Sequence, residues 1–211
     1  DMGGAAAVLG AFTGLREAGA AASVTGWLMC TDNMPSGTAY KLGDVLTARD
    51  GTTVEVKNTD AEGRIVMMDA IALAVEEGVD AIIDIATLTG AALMALGQLT
   101  APVLGNDQRV VDLTLAASAV TGEPLWQLPL ERKYRPQLDS DVADLANIGG
   151  RYAGATTAAL FLDHFTRKTP WAHLDIAGTM AVDADESWRS KGATGFGARL
   201  LLETALTFTK A

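Results

Sequence analysis

Between Ile65 and Thr121 the chain switches repeatedly between two hydrophobic periods, and no other feature narrows its fold as far. Ile65, Met68, Ile71, Ala72 and Val75 recur at three- and four-residue steps, the spacing of one helical face, and Gly78 stops the run. Asp80 to Ala86 (Asp-Ala-Ile-Ile-Asp-Ile-Ala) follows as a short core strand. Thr87-Leu88-Thr89-Gly90 then opens an alanine-rich helix to about Leu96. Thr100 to Leu104 predicts another strand and Asp107 to Thr121 another helix. Strands joined through helices, not hairpins, run largely parallel and need helical cover on both faces. The expected fold is therefore α/β: three layers, with a central mixed, mostly parallel sheet flanked by helices. A composition that is 49% hydrophobic but only 6% aromatic suits such close helix-on-sheet packing. Ligands in sheets of this kind lie beyond the carboxyl ends of the strands, so the strand-to-helix joins are where a site is sought.

The remaining segments extend the pattern. Residues 3 to 18 predict a helix of small residues ended by Gly19, and Ser23 to Met29 a strand buried on both faces. Asp32 to Leu42 is a loop, and Asp44 to Val56 two short strands turned by Arg49-Asp50-Gly51-Thr52. Pro124 and Pro129 make Leu125 to Leu130 extended, and Ser140 to Gly150 is irregular. Ala155 to Arg167 predicts a helix, Trp171 to Ile176 a core strand, Asp183 to Ala193 a charged loop, and Thr194 to Thr207 a closing helix. Neither a repeat nor a linker interrupts residues 1 to 211, which are read as one domain. A formal net charge of −10 argues against a nucleic-acid partner, which needs a basic face. Cys30 is the only cysteine, so no internal disulfide forms and a reducing compartment is expected. Its setting, Gly26-Trp27-Leu28-Met29-Cys30, is that of a buried small hydrophobe. No apolar run is long enough for a membrane span, and no signal peptide is read. The first residues already lie inside a helix start, as expected for the interior of a longer protein.

Asn58-Thr59-Asp60-Ala61-Glu62-Gly63-Arg64 sits at one of the strand-to-helix joins. If it is extended, Asp60 and Glu62 point to one side and converge on a cation. Ala61 and Gly63 keep bulk away, and Arg64 presents a rigid fork of donors to an anion. The competing reading is a polar turn in which Thr59 or Asp60 caps the next helix. Asp1, Asp60 and Glu62 offer carboxylate oxygens suited to Mn²⁺, Mg²⁺ or a carboxylate-bound Zn²⁺. Asp84 is either a fourth donor or a side chain paired to a helix end or a lysine. Gly149 to Gly154 has the glycine spacing of a phosphate loop with Thr156 in register, but Ala155 stands where the lysine belongs. Ser36, Ser118 and Ser140 lack a nucleophile-elbow setting, and neither His164 nor His173 has an evident partner.

Taken together, the motifs resemble a known family. The heptapeptide from Asn58 to Arg64 is similar to the signature of the leucyl (cytosol) aminopeptidases, two-metal exopeptidases. Asp1-Met2-Gly3-Gly4-Ala5-Ala6, Asp84-Ile85-Ala86-Thr87-Leu88-Thr89-Gly90-Ala91 and Trp171-Ala172-His173-Leu174-Asp175-Ile176-Ala177-Gly178 resemble its catalytic domain in the same order. Ser140 to Leu145 and Gly154 to Ala159 agree, so the resemblance runs essentially end to end.

The resemblance implies a metal-dependent hydrolase that removes N-terminal residues, preferably Leu or a similar apolar residue, from peptides. Two divalent ions, Mn²⁺ or Zn²⁺, are implied per subunit. Asp1 would ligate the weaker-bound ion, Asp60 the other, and Glu62 would bridge them. Arg64 would be catalytic, binding a bicarbonate-like anion that acts as general base. Leu88 and Gly90 would fix the substrate backbone through main-chain groups. Thr87, Ala177 and Met180 would line the side-chain pocket, with Asn58 and Ala61 beside it. Peptides with a free N-terminus are the implied partners, a homo-hexamer the implied assembly, and the cytoplasm the implied location; no membrane is involved. The same resemblance implies a metal-binding lysine, a bridging aspartate and an electrophilic lysine upstream of Asp1, together with an N-terminal domain. Residues 1 to 211 would then be the C-terminal catalytic domain without its upstream start, inactive in isolation. The alternative is an incomplete fragment that acts only as a folded scaffold or oligomer component.

Overall fold

The computed structural model describes residues 1–210. Helix α1 (Gly3–Leu15) is followed, after a long non-regular segment, by the hairpin β1 (Val45–Thr47) and β2 (Thr53–Glu55). The alternating stretch then gives α2 (Glu62–Glu76), β3 (Ile82–Ala86), α3 (Gly90–Leu96), β4 (Ala101–Gly105) and α4 (Gln108–Thr121). Strand β5 (Leu125–Gln127), a 3₁₀ turn over Arg132–Leu138 and the two-residue β6 (Leu145–Ala146) lead to α5 (Gly154–Phe165) and β7 (Trp171–Asp175). A small ribbon, β8 (Ala181–Val182) with β9 (Gly192–Ala193), precedes the last helix, α6 (Ala198–Thr207).

The central sheet has the order β3-β7-β4-β5. Strands β3 and β7 are parallel, as are β4 and β5, whereas β7 meets β4 antiparallel. It is thus mixed with more parallel than antiparallel pairings, as the sequence predicts. Its order departs from succession along the chain, because β7 arrives last and inserts between β3 and β4. A second sheet joins the hairpin to β6, which runs parallel to β2.

Each face of the central sheet carries its own core, and side-chain alternation sorts the residues between them. Ile82, Leu104 and Trp171 pack on α2 and α5 through Met68, Ile71, Leu160, Phe161 and Phe165. Ile85, Val103, Ala172 and Leu174 pack on α1, α4 and α6 through Ala7, Val110, Val111 and Leu200. Trp171 is fully buried and, like each buried Leu or Phe, contributes on the order of 2 kcal/mol of transfer free energy. Glycine permits the closest approach. A Cβ at Gly4 would lie 2.1 Å from the Ile85 carbonyl oxygen, so α1 rests directly on the backbone of β3.

Two expectations fail in the same region. Ser23 to Met29 forms no strand, and Cys30 is exposed. An apolar run becomes a strand only where a ladder partner takes its N–H and C=O groups. Among the described residues none lies alongside it, and Val24, Leu28 and Met29 remain largely exposed. The closing helix also starts at Ala198, not Thr194, because Gly195 and Gly197 both take positive φ.

Candidate active site

The carboxyl ends of the parallel pair β3 and β7 open on a cleft of about 860 Å³. It extends along the outer edge of β3, between α1 and α2, and reaches the segment from Ala22 to Met29. Asp1, Asp60, Ala61, Glu62, Thr87, Leu88, Gly90, Ala177 and Met180 all line it. Asn58 and Arg64 are not part of its lining.

The heptapeptide is not extended. Asn58 to Ala61 is a turn, in which the Asn58 side chain accepts from the Asp60 N–H at 2.8 Å, and Glu62 is already the first residue of α2. Asp60 and Glu62 therefore reach the same cleft from a turn and a helix start, not from one side of a strand. The capping reading fails as well. The N-cap of α2 is Ala61, and no side chain caps it. Among the described residues neither the Asp60 nor the Glu62 carboxylate has an ion-pair or hydrogen-bond partner, while Glu62 lies in the first turn, where the helix dipole favours an anion. Asp1, brought close by the contact of α1 with β3, accepts from the Thr87 hydroxyl at 3.2 Å.

The turn is held from below by Asn147, which sequence reasoning passed over as part of an irregular segment. Asn147 follows β6 and is completely buried. Its carbonyl oxygen accepts from Lys57 N–H at 2.8 Å and Asn58 N–H at 3.2 Å, and its amide donates to the Asn58 carbonyl at 2.6 Å.

Behind the cleft lies a buried polar cluster that was only partly foreseen. Asp84 is paired neither to a helix end nor to a lysine. It accepts from Trp171 Nε1 at 2.6 Å and bonds His173 Nδ1 at 2.5 Å, its register partner on β7. His173 thus has the partner that its sequence setting did not reveal. Burial alone pushes the imidazole down, but the charge and hydrogen bond of Asp84, helped by Asp175, raise it above the ordinary histidine value. Among the described residues its Nε2 has no hydrogen-bond partner, and it lies 4.0 Å from Asp175.

Asp175 ends β7 with no solvent exposure. It accepts from the N–H groups of Leu88, Thr89 and Ala177 and from the Thr89 hydroxyl. Arg64 sits in the same layer, only 5% exposed, with Nε and Nη1 unpartnered. Desolvation lowers its guanidinium to about 10, against the opposing pull of Asp175 and Glu62. A buried cation with vacant donors is strained unless an anion meets it. The signal for this cluster was period-two alternation in Trp171 to Asp175, which puts Trp171, His173 and Asp175 on one face.

The carboxylates suit hard divalent cations in kind but fall short in number. Among the described residues no three His, Cys, Asp or Glu side chains converge closely enough to hold an ion. The phosphate-loop reading finds a packing explanation instead. A Cβ at Gly154 would lie 2.8 Å from that of Ala91, so the glycine lets α5 approach α3, and one at Gly149 would meet Thr157.

The pattern describing the cytosol aminopeptidase family, catalytic domain, matches residues 1–202. A probable cytosol aminopeptidase from Alkaliphilus metalliredigens (strain QYMF) is 47% identical over 210 residues, covering 100% of this chain and 42% of that protein. Probable cytosol aminopeptidases from Synechococcus sp. (strain JA-3-3Ab) and Syntrophobacter fumaroxidans (strain DSM 10017 / MPOB) are each 50% identical over 98% of this chain, which covers 40% and 41% of their lengths. The chain thus spans about two fifths of the length of these curated relatives.

Proposed function

The chain belongs to the cytosol aminopeptidase family, through its catalytic domain, and on that premise we propose that the longer protein is a two-metal leucyl aminopeptidase. One observation carries the reading: Asp1, Asp60 and Glu62, three carboxylates without an ion pair among the described residues, line the same cleft as Thr87, Leu88, Gly90, Ala177 and Met180. The three carboxylates would hold divalent cations, Mn²⁺ or Zn²⁺, with donors from outside these residues completing the shells. Such ions, when bound, polarise a peptide carbonyl and acidify water.

The chain's own residues then divide the work. Leu88 and Gly90 hold the peptide backbone through main-chain groups, fixing the scissile bond against the carboxylate side of the cleft. Thr87, Ala177 and Met180, with Asn58 and Ala61 behind, shape an apolar pocket that takes Leu at the free N-terminus. Arg64, with two buried donors unpartnered among the described residues, would hold a small bicarbonate-like anion, which would supply a general base beside the cleft. Among the described residues no helix is long and apolar enough to cross a membrane. A cytoplasmic homo-hexamer is the proposed setting. A second reading applies to the 211 residues alone: since no three donors converge among the described residues, this portion folds without turning over substrate.

Turnover of leucine p-nitroanilide with Mn²⁺ tests both readings. The full-length protein is active and residues 1–211 alone are not; inactivity of both sinks the enzyme reading. Glu62→Gln in the full-length protein lowers metal stoichiometry and abolishes nearly all turnover without unfolding it. Full activity with two ions still bound would remove Glu62 from the role assigned.

A further inference from the structure

Asp175 carries no role in the reading above, yet its carboxylate is the most heavily used acceptor near the cleft. Its Oδ1 accepts from Leu88 N–H at 3.1 Å, Thr89 N–H at 3.2 Å and Ala177 N–H at 3.3 Å, while Oδ2 accepts from the Thr89 hydroxyl at 2.6 Å. The Thr89 hydroxyl in turn accepts from Ala92 N–H at 3.0 Å and so caps α3. These donors come from two different strand ends. One is the turn leaving β3, which carries Leu88 and Gly90; the other is the turn leaving β7, which carries Ala177. All three N–H groups point inward to the carboxylate, where no water competes, because Asp175 is fully buried.

We propose that Asp175 is a positioning residue: its single carboxylate locks the Leu88–Gly90 turn and Ala177 into one rigid wall of the substrate cleft. The inference rests on the reading that this turn binds the peptide backbone and that Ala177 shapes the side-chain pocket. A carboxylate is suited to the task because an acceptor-only group with several lone pairs satisfies four donors at once. An asparagine keeps the same shape and can still accept the three N–H bonds through its oxygen. Its amide can donate to the Thr89 hydroxyl, which remains free to accept from Ala92. Alanine leaves all four donors empty.

The test uses the full-length enzyme with steady-state kinetics on leucine and alanine p-nitroanilides, and amide hydrogen exchange on the same samples. Asp175→Asn keeps kcat/KM within about fivefold of wild type. Asp175→Ala loses about 10²-fold, the usual cost of misplacing a substrate by about an ångström. Its leucine-over-alanine preference falls by about tenfold as the pocket wall loosens. Ser118→Ala, which removes a buried hydrogen-bonding hydroxyl remote from the cleft, lowers stability but leaves that preference unchanged. If Asp175→Ala does not fold, Thr89→Ser against Thr89→Val decides: serine retains activity and valine loses about tenfold. A folded Asp175→Ala enzyme with wild-type kcat/KM and preference overturns the proposal, as does equal loss in the serine and valine variants. Absence of turnover in the wild type would instead overturn the reading of the site. The lock is then judged by exchange alone, with Leu88 and Thr89 amides slow in wild type and Asp175→Asn and fast in Asp175→Ala; equal rates in all three refute it.

Discussion

Replacing Asn147 by alanine should unlatch the turn that carries Asp60 without touching the cleft itself. Three good hydrogen bonds are lost, to Lys57 N–H, Asn58 N–H and the Asn58 carbonyl, at 2.8, 3.2 and 2.6 Å. The contact to the Ala61 carbonyl at 3.5 Å is too long to count. A buried group left unsatisfied costs about 1–3 kcal/mol. Lys57 is exposed and Asn58 half-buried, so water can recover part of the loss, and a total of about 3 kcal/mol follows. For a domain of this size that lowers Tm by roughly 6–12 °C. Urea unfolding of the full-length protein followed by tryptophan emission would report it, since Trp171 is fully buried. Turnover at a temperature where the variant is folded should fall as well, because Asp60 is no longer held. Asn147→Asp keeps both acceptor bonds but sets a buried carboxylate oxygen against the Asn58 carbonyl, so it should cost at least as much as alanine. A loss below about 1 kcal/mol for alanine, or an aspartate variant as stable as wild type, would refute the latch.

Gly4→Ala would set a Cβ 2.1 Å from the Ile85 carbonyl oxygen, forcing α1 off β3; a loss of about 3 kcal/mol is expected by thermal unfolding, with weaker metal binding as Asp1 shifts. Arg64→Met removes a buried guanidinium already driven down to about 10. It should raise stability by about 1–3 kcal/mol while cutting kcat by at least about 10²-fold, and a variant that is both less stable and active would contradict this. The raised pKa of His173 means that its protonated form is bound better by the native state. Its stabilising effect is then complete below the ordinary histidine value near 6.5 and fades as pH rises through the elevated native value. The stability gap between wild type and His173→Gln should narrow with rising pH in urea melts; a gap that widens would show a neutral imidazole.

Local periods in the sequence were sufficient for most elements, because those elements depend on neighbours along the chain. The face of Ile65, Met68 and Ile71 defines α2, the isoleucine-rich run from Ile82 to Ala86 is β3, and Asp107 caps α4 as an aspartate before a helix should. The motif from Asn58 to Arg64 and its companions were likewise enough to mark the family. Strand pairing was not legible in this way. It depends on which backbone groups meet across space, so Ser23 to Met29, apolar enough for a strand, forms none, and β7 slips between β3 and β4. The same limit hid the polar layer behind the cleft. Asp84 with His173, Asp175 with Leu88 and Thr89, and Asn147 with Asn58 are separated by more than 80 residues. No residue in those pairs announces its partner by type or spacing, since a buried acceptor is chosen by whichever donors the packed strands deliver to it. The family was written in adjacent residues of the sequence; the supports that hold the candidate site exist only once two parallel strands lie side by side.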